Sequence, residues 1–395
     1  MRSIVIYGAT DRFNYGDLLF PIILSHAAKL IHPGCRIENV SIKKSDFLKR
    51  GGLPTKSMRN MISSGELDEF DRIIIAGGQV LNASWTTIIS YLGPDLNLSL
   101  RVIRKFFGKA KADIFARYLS GIPWHQPFVI PSGFFKNGSV AYNAVGGVSI
   151  EQLPADYLSV LLRSVEAADY VSVRDKATQE AFGRLGVEVH LVPDSAVVMS
   201  SIFSKNTLFE KISPHVSEYL SNNSGAYLVF QIGINFVKNR EESIARTIEC
   251  IARDQGLKVV LLAIGTAIGH EDQIALRNIR KHIGQSVDVF ELYEGSIWEI
   301  MLMISEAAFY LGTSLHGAIT AISFAVPHMP FTNQVVKLKE FLMTWDLPEQ
   351  ANHFDIDDHS KKLAKVLSTG AQARFQLRDR LMKQAWSGIE HAVGQ

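Results

Sequence analysis

Ile4-Val5-Ile6-Tyr7-Gly8, near the start of the chain, is the stretch of sequence that decides the fold class. Its β-branched residues predict a short buried strand that ends at the glycine. A polar loop follows, and Asp17 then precedes apolar residues at helical spacing: Leu18, Leu19, Ile22, Ile23 and Ala27. A strand, a glycine-containing loop and a helix in this order are typical of the opening unit of a doubly wound α/β domain.

The same pattern recurs along the chain. Short apolar runs, each followed by a polar or glycine-rich turn and a helical segment, occur at residues 72–76, 170–173, 189–192, 226–230, 259–263 and 307–311. Strands that are covered on both faces, as in parallel sheets, have this largely apolar character. We therefore predict an α/β protein with two Rossmann-like domains that face a cleft, an architecture of the GT-B type.

The domain limits follow from residues 200–224, a segment without a strand pattern that ends in the polar cluster Ser221-Asn222-Asn223-Ser224. A length of 395 residues fits two domains of ordinary size. We predict an N-terminal Rossmann-like domain at residues 1–205 and a C-terminal one at residues 206–360. Residues 361–395, rich in Lys, Arg, Gln and Ala, are predicted to form a C-terminal helical tail.

The composition excludes several classes of protein. Lys and Arg number 41 and Asp and Glu number 39, so the net charge of +2 lacks the basic excess of a nucleic-acid binder. Cys35 and Cys250 are far apart in the sequence, and we expect two buried, reduced thiols. The apolar run at the N-terminus is too short for a signal peptide, and no uncharged apolar stretch approaches the ~18 residues that span a bilayer. We expect a cytoplasmic protein.

Two loops of the first domain contain candidate binding residues. Asn14-Tyr15-Gly16-Asp17 follows the first strand, and Asp17 can either cap a helix or accept a hydrogen bond from a substrate hydroxyl. Gly77 and Gly78 follow the run at 72–76, where glycines either expose backbone N–H groups to a ligand or allow close packing. Gly-x-Gly-x-x-Gly is absent from the first loop, which disfavours a dinucleotide cofactor.

Arg174 comes directly after the run at 170–173, where the strand is predicted to end. Its planar guanidinium suits a carboxylate or a phosphate in the cleft. An ion pair with Asp175 or Asp194 explains an arginine at this position equally well. The position alone leaves both interpretations open.

The most informative motif is Gly312-Thr313-Ser314-Leu315-His316-Gly317. Thr313 and Ser314 open a helix, so that N–H groups and hydroxyls meet at its positive end, which favours an anion. His316 lies in the first turn and can move protons near neutral pH. The sequence contains no phosphate-binding Gly-x-x-x-x-Gly-Lys loop and no cluster of metal-ligating residues, so we expect neither an ATPase nor a metalloenzyme.

In combination and in order, these motifs resemble the polysaccharide pyruvyltransferase family, over residues 4–331. The motifs are 14–17, 77–78, 172–175, 192–194 and 312–317, with Pro327 downstream. The resemblance implies a fold like that of two-domain glycosyltransferases. It also implies transfer of pyruvate, as a ketal, from phosphoenolpyruvate to a sugar of a polysaccharide or of its lipid-linked precursor, with release of phosphate. Phosphoenolpyruvate is then a substrate, and no cofactor or metal is expected.

The resemblance matches His316 to the family's proposed catalytic histidine and Arg174 to an arginine near the cleft, and the other expected roles follow from the loops described above. The expected roles are catalysis for His316 and Asp17, donor binding for Arg174, Thr313, Ser314 and Leu315, and acceptor binding for Asn14, Gly77, Gly78 and Gln79. Many members of the family have an arginine two residues before the histidine, where this chain has Ser314. A lysine or arginine from elsewhere in the chain would then have to provide that contact with the anion.

Two other functions fit the same fold. A GT-B glycosyltransferase would hold the diphosphate of a nucleotide sugar at the anion site of the second domain. A non-catalytic carbohydrate-binding relative would have lost its donor site, and Ser314 favours that interpretation. Binding of phosphoenolpyruvate, UDP and GDP distinguishes the three.

The segment Arg101–Tyr118 contains six basic residues and one acidic residue, interleaved with aromatic and aliphatic side chains. Such a helix suits an anionic membrane surface, which would place the protein peripherally at the inner face of the membrane. Packing of the apolar face on the first domain, with the charges solvated, is the alternative. Gly108 interrupts the segment but need not break the helix.

Overall fold

A computed structural model describes residues 2–353 and 359–394 of the chain. The strands in these residues form two separate sheets, and within each sheet every pair of neighbours is parallel. The strands are β1 (Ser3–Tyr7), β2 (Arg36–Ser41), β3 (Lys56–Ser57), β4 (Arg72–Ile75), β5 (Gly78–Gln79), β6 (Ser139–Gly146), β7 (Tyr170–Val173), β8 (His190–Leu191), β9 (Tyr227–Gln231), β10 (Lys258–Leu262), β11 (Val289–Leu292), β12 (Phe309–Gly312) and β13 (His328–Pro330).

Helices connect the strands and cover both faces of the sheets. They are α1 (Tyr15–Ile31), α2 (Met58–Ser63), α3 (Trp85–Ser90), α4 (Pro94–Ser120), α5 (Ala155–Glu166), α6 (Lys176–Arg184), α7 (Met199–Ile202), α8 (Lys205–Phe209), α9 (Pro214–Asn223), α10 (Glu241–Gln255), α11 (Asp272–Arg280), α12 (Ile297–Ser305), α13 (Leu315–Ser323), α14 (Val336–Trp345), α15 (Pro348–Ala351), α16 (His359–Ser368) and α17 (Ala371–Val393). The segment predicted to lack a strand, 200–224, is helical.

The strand order of each sheet explains where a ligand can bind. The first sheet has the order β3-β2-β1-β4-β6-β7-β8, with β5 beside β6, and the second has the order β11-β10-β9-β12-β13. In the first sheet the order reverses between β1 and β4, and in the second between β9 and β12. The loops after these strands diverge and leave a crevice at each reversal. The predicted α/β architecture with two Rossmann-like domains is confirmed.

Four strands of three or more residues were not predicted from apolar runs: β2, β6, β11 and β13. In β2, with the sequence Arg-Ile-Glu-Asn-Val-Ser, most side chains are partly exposed, so polar residues interrupt the run. In β6 the pairing with β7 shifts register between Tyr142 and Val145, and Asn143 stands within the strand. A strand near the edge of a sheet, such as β2, is not fully covered on both faces, and the irregular strand β6 includes a polar residue, so neither sequence has the continuous apolar pattern.

The C-terminal helix α17 returns from the second domain to the first. Leu377, Leu381 and Ile389 lie in a hydrophobic core that also includes residues of α1, α12 and α13. At its end, the guanidinium of Arg72 in β4 donates to the carbonyl of Ala392 at 2.6 Å. The predicted helical tail therefore closes the structure by joining both domains through one shared core.

Two expectations about surface residues are wrong. Cys35 is partly buried and Cys250 is exposed, so the thiols are free but are not both buried. Cys250 lies on the outer face of α10, whose inner face contributes Ile248 and Ile251 to the core.

The second wrong expectation is that the apolar face of the basic segment, which lies in α4, packs on the first domain. The helix is interrupted at Gly108 (φ 85°, ψ 169°), a conformation that favours glycine. Most of its large apolar side chains do not pack on the first domain: Phe106 is 72% and Tyr118 is 81% exposed. Leu100 and small side chains such as Ala116 are the apolar groups of the helix that face the core. In the described part of the chain, no helix has the length and apolar character needed to cross a bilayer.

Candidate active site

A cavity of about 220 Å³ lies between the domains, where both sheets reverse their strand order. The first domain lines it with residues that follow β1, β4 and β7, and the second with residues that follow β9, β10, β12 and β13. The lining residues are Asn14, Asp17, Gly78, Gln79, Arg174, Gln231, Gly233, Asn235, Phe236, Ile264, Gly265, Gly269, His270, Asp272, Thr313, Ser314, Leu315, His316, Val335 and Lys337. Nine of the ten residues to which the sequence assigned a role thus meet in one cavity.

The first turn of α1 forms one wall of the cavity. The side-chain oxygen of Asn14 accepts a hydrogen bond from the N–H of Gly16 at 3.2 Å, so Asn14 is the N-cap of the helix. The interpretation of Asp17 as the cap is therefore wrong. Asp17 lies in the first turn, and its side chain lines the cavity. A catalytic role for Asp17 stays a prediction.

Gly16 makes room for His316 across the domain boundary. A Cβ atom at Gly16 would lie 1.8 Å from Nδ1 of His316, closer than two atoms can approach. The ring of Phe20 packs edge-on against the imidazole, with 5.3 Å between ring centroids. One turn away, the hydroxyls of Tyr15 and Thr320 are 2.9 Å apart. These contacts fix α1 of the first domain against α13 of the second.

The two adjacent glycines after β4 have different surroundings. Gly77 is not among the residues that line the cavity, and a Cβ atom there would lie 2.9 Å from the ring of Phe20. Gly78 and Gln79 do line the cavity. Both glycines have a positive φ, 98° and 87°, which explains why glycine occupies these positions. Close packing accounts for Gly77, and acceptor binding at the other two residues stays a prediction.

Arg174, Asp194 and His316 form a buried ionic cluster. Nη1 of Arg174 donates to Oδ2 of Asp194 at 2.8 Å, so the ion pair that the sequence left open does form. Nε2 of His316 lies 3.7 Å from the same carboxylate oxygen. Burial alone would raise the pKa of Asp194, but His316 and Arg174 hold it at about 2. Asp194 is therefore an anion that pairs with the guanidinium of Arg174 and lies beside the imidazole of His316.

The cluster retains hydrogen-bonding capacity toward the cavity. Nε of Arg174 and Nε2 of His316 are both buried and have no partner among the residues that the structure describes. Asp175, the other potential partner of Arg174, instead caps α6 by accepting from the N–H of Thr178 at 2.8 Å. Unpaired buried polar atoms are costly, and a ligand that forms hydrogen bonds with these two nitrogens would satisfy them.

The start of α13 is only partly available to a ligand. The amide oxygen of Gln231 accepts from the N–H groups of Thr313 and Ser314 at 2.9 and 2.8 Å. The hydroxyl of Ser314 caps the helix by accepting from the N–H of Gly317. The N–H groups of Leu315 and His316 remain, since neither has an acceptor within its own helix. An anion would therefore meet these two donors at the positive end of the helix.

Lys337 is a cation that the sequence did not reveal. It lines the cavity from the first turn of α14, two residues beyond the loop that follows β13. Burial and the nearby Arg174 lower the pKa of its ammonium, while Asp17 and Asp272 partly oppose that shift. Within residues 2–353 and 359–394 its ammonium makes no hydrogen bond or ion pair. Lys337 is the candidate for the cation that the resemblance requires in place of an arginine at Ser314.

Asp272 and His270 were also not assigned a role from the sequence. Burial raises the pKa of Asp272 to about 7, although Oδ2 accepts hydrogen bonds from Gly265 N–H at 2.9 Å and Gln231 Nε2 at 2.8 Å. Burial and the nearby Lys337 lower the pKa of His270 to about 4, which keeps its ring neutral at pH 7. A carboxyl group with a pKa near 7 can act as an acid or a base in neutral solution.

The signals for these missed residues in the sequence are weak. Asp272 and Lys337 each begin a helix shortly after a strand, which is where ligand-binding residues of parallel sheets lie. An apolar run in the sequence predicts β10, the strand before Asp272. The strand before Lys337, β13, has only three residues and was not predicted. No motif distinguishes an acid or a lysine at these positions from one that faces solvent.

The arrangement combines positive groups with groups that can move protons. Arg174, Lys337 and the start of α13 can hold an oxygen-rich anion, and His316, Asp272 and Asp17 surround it with titratable side chains. In the part of the chain that the structure describes, no group of three or more His, Cys, Asp or Glu residues is arranged to hold a metal ion. The site is suited to acid–base chemistry on a small anionic substrate.

The sequence and the fold were compared with those of known proteins. The family model for polysaccharide pyruvyl transferase matches residues 14–335, most of the chain. No curated protein matches the sequence significantly.

Among solved structures, UDP-GlcNAc 2-epimerase from Methanocaldococcus jannaschii is similar with a TM-score of 0.56 at 12% identity, over 97% of this chain and 100% of that one. The S. aureus MnaA–UDP complex is similar with a TM-score of 0.55 at 12% identity, over 100% and 95% of the two chains. The Neisseria meningitidis UDP-GlcNAc 2-epimerase bound to UDP-GlcNAc has a TM-score of 0.50 at 10% identity, over 100% and 97%. At these identities the likeness extends to the GT-B-like fold alone.

Proposed function

The chain belongs to the polysaccharide pyruvyl transferase family, and we propose that it transfers a pyruvyl group from phosphoenolpyruvate to a sugar of a polysaccharide or of its lipid-linked precursor. The product would be a pyruvate ketal of the kind found in acidic extracellular or cell-wall polysaccharides. The reaction is that of a transferase that uses phosphoenolpyruvate as a substrate and needs no further cofactor.

The observation that supports this proposal most directly is a small, cationic cavity. Its volume of about 220 Å³ is below the ~300–1,000 Å³ of pockets that enclose drug-sized ligands. A three-carbon phosphate ester is small enough for such a space. Arg174 and Lys337 both line it, and their charges suit the carboxylate and the phosphate of phosphoenolpyruvate.

The proposed reaction balances with the titratable groups of the cavity. C3 of phosphoenolpyruvate gains a proton and becomes a methyl group, two sugar hydroxyls form C–O bonds to C2, and the C2–O bond to phosphate breaks. Two hydroxyl protons are released in the process: one replaces the proton delivered to C3, and the other balances the departing phosphate. Asp272, whose pKa is about 7, can deliver and collect protons in neutral solution, and His316 and Asp17 line the same cavity as the other candidate acid and base groups.

In this scheme each cationic group has a definite role. Lys337 and the N–H groups of Leu315 and His316 would stabilise the phosphate as it leaves. Arg174, which Asp194 holds in place, would bind the carboxylate. Asn14, Gly78 and Gln79, on the first-domain side of the cavity, would contact the acceptor. A cytoplasmic enzyme at the inner face of the membrane would meet a lipid-linked acceptor there.

Calorimetric titration of the purified protein tests the donor. We expect phosphoenolpyruvate and inorganic phosphate to bind and to compete with each other, and UDP and GDP to bind no more tightly than phosphate. Tight binding of UDP or GDP, with no heat from phosphoenolpyruvate, would instead indicate a nucleotide-sugar glycosyltransferase.

Turnover is then measured as phosphate released from phosphoenolpyruvate with lipid-linked oligosaccharides. Mass spectrometry should show the acceptor heavier by one pyruvate minus one water. A His316→Ala protein is the negative control, since it retains the cationic side chains of the cavity. Glycan binding without binding of any of these donors would favour a non-catalytic carbohydrate-binding protein.

A further inference from the structure

The outer face of α4 carries a concentration of exposed large hydrophobic side chains. More than half of the large hydrophobic side chains that are exposed in the described part of the chain lie on this single helix. Leu98, Val102 and Phe106 are one helical turn apart and form a stripe before the interruption at Gly108. Phe107 is 62% exposed beside it. Burying such a patch against a partner removes apolar surface from water.

The same face is strongly basic. Between residues 101 and 118 the basic side chains are Arg101, Arg104, Lys105, Lys109, Lys111 and Arg117. Asp113, the one acidic residue in this interval, is buried, where it accepts hydrogen bonds from the N–H of Thr86 at 2.8 Å and the hydroxyl of Tyr157 at 2.9 Å. Its charge points inward, so it does not neutralise the outer surface.

The geometry places the aromatic residues where the helix changes direction. The backbone leaves the helical conformation at Gly108, so Phe106 and Phe107 stand at the corner between two helical halves. The ammonium of Lys105 lies 5.8 Å from the ring centroid of Phe106, and that of Lys111 lies 5.9 Å from that of Phe107. Aromatic rings with lysines beside them match the boundary of a bilayer, where apolar rings insert and cations meet lipid headgroups.

The face is also continuous with the site in the cleft. A second cavity, of about 590 Å³, is lined by Leu98, Arg101 and Arg104 of α4 on one side and by Asn235 and Gly269 on the other. Asn235 and Gly269 also line the central cavity, so the two cavities adjoin. A surface that covers α4 would therefore lie at the outer opening of the cleft.

We propose that the exposed aromatic and basic face of α4 docks on an anionic lipid bilayer. The charge selects anionic headgroups, and Phe106 and Phe107 insert between them. The docking is peripheral and reversible, since it depends on a few rings and on charges that salt screens. It concerns a surface outside the proposed catalytic cavity and does not depend on the reaction carried out there.

The test is flotation of the whole protein with vesicles of phosphatidylcholine alone or with phosphatidylglycerol, at low and high salt. We expect flotation only with phosphatidylglycerol, and less of it at high salt. A Lys105→Glu/Lys111→Glu variant should partition at least about 30-fold more weakly, and Phe106→Ser/Phe107→Ser should also be impaired. Lys361→Glu/Lys365→Glu on α16 makes the same change of charge elsewhere and should bind as the unmodified protein does.

Several outcomes would overturn the proposal. One is the absence of flotation at low salt with phosphatidylglycerol. Another is equal flotation of the α4 variants and the α16 control. Light scattering without lipid tests whether a second copy of the chain is the partner instead. If the protein is a dimer, does not bind vesicles and becomes a monomer in the Phe106→Ser/Phe107→Ser variant, the face serves self-association. Because the assay contains neither phosphoenolpyruvate nor an acceptor, its result is independent of the proposed reaction.

Discussion

Replacing Lys337 with methionine should weaken anion binding and at the same time stabilise the fold. The ammonium lines the cavity near Arg174, and its burial and that neighbouring charge lower its pKa. A side chain whose charged form is disfavoured in the folded protein costs stability at neutral pH. That cost is recovered when an anion binds. The two effects of Lys337→Met therefore have opposite signs.

The magnitude follows from the position of the ammonium. Opposite unit charges ~4 Å apart attract by ~4 kcal/mol at an effective dielectric constant of ~20, and the lost hydration of both groups opposes this attraction. A hydrogen bond to a charged group contributes about 1.5–3 kcal/mol net. Lys337→Met should therefore raise the Kd for phosphoenolpyruvate and for phosphate by roughly 10- to 150-fold. Lys337→Arg, which keeps the charge, should retain most of the affinity.

The assay is calorimetric titration with phosphoenolpyruvate and with phosphate, together with the Tm at pH 7. Lys339→Met is the matched control, because Lys339 lies on the same helix and is exposed. We expect Lys337→Met to bind both anions weakly and to melt at a higher temperature, and Lys339→Met to change neither. Unchanged anion affinity in Lys337→Met would refute the argument, and a lowered Tm would show that the lysine serves the fold.

Four further substitutions test the other groups of the cavity. His316→Ala should lower turnover by roughly 10²–10⁴-fold with an unchanged circular dichroism spectrum, and near-normal turnover would exclude it as an acid or base. Asp17→Asn should lower turnover or acceptor affinity and leave the Kd for phosphoenolpyruvate unchanged. Because Asp17 does not cap α1, a variant that changes only the Tm would contradict a role for Asp17 in the site. Arg174→Ala should abolish donor binding and lower the free energy of unfolding by about 3–5 kcal/mol in urea titrations, because the buried carboxylate of Asp194 loses its partner. Asp272 has a pKa raised from 3.8 to about 7, so its contribution to stability is complete below pH 3.8 and is lost as the pH rises through 7. The Tm of the unmodified protein should therefore fall more between pH 5 and pH 8 than the Tm of Asp272→Asn. An equal fall in both proteins would contradict the shifted pKa.

The sequence predicted the fold class because buried parallel strands have a local signature. Runs such as residues 4–7 and 73–76 are apolar throughout, and each ends where a glycine begins the next loop. Strands such as β2 and β6 lack that signature, since part of each is exposed or irregular. The sequence therefore indicated the class and the two domains without the complete strand order.

The sequence could also place His316 and Ser314 at the start of a helix, since a serine N-cap and small residues have local effects on the backbone. It could not show that the amide of Gln231 takes up the N–H groups of Thr313 and Ser314, because β9 and β12 become neighbours only in the sheet. For the same reason it left the partner of Arg174 undecided between Asp175 and Asp194.

By itself, then, the sequence determined the features that depend on neighbours along the chain: apolar runs, caps, turns and the motifs between them. The tertiary structure alone brought Lys337 and Asp272 into one cavity with Asp17, and it alone explains Gly16, where a side chain would collide with His316 of the other domain. The physical reason is that burial and Coulomb interactions depend on distance in space. A pKa of about 7 for Asp272 or about 2 for Asp194 arises only once the chain has folded around these carboxyl groups.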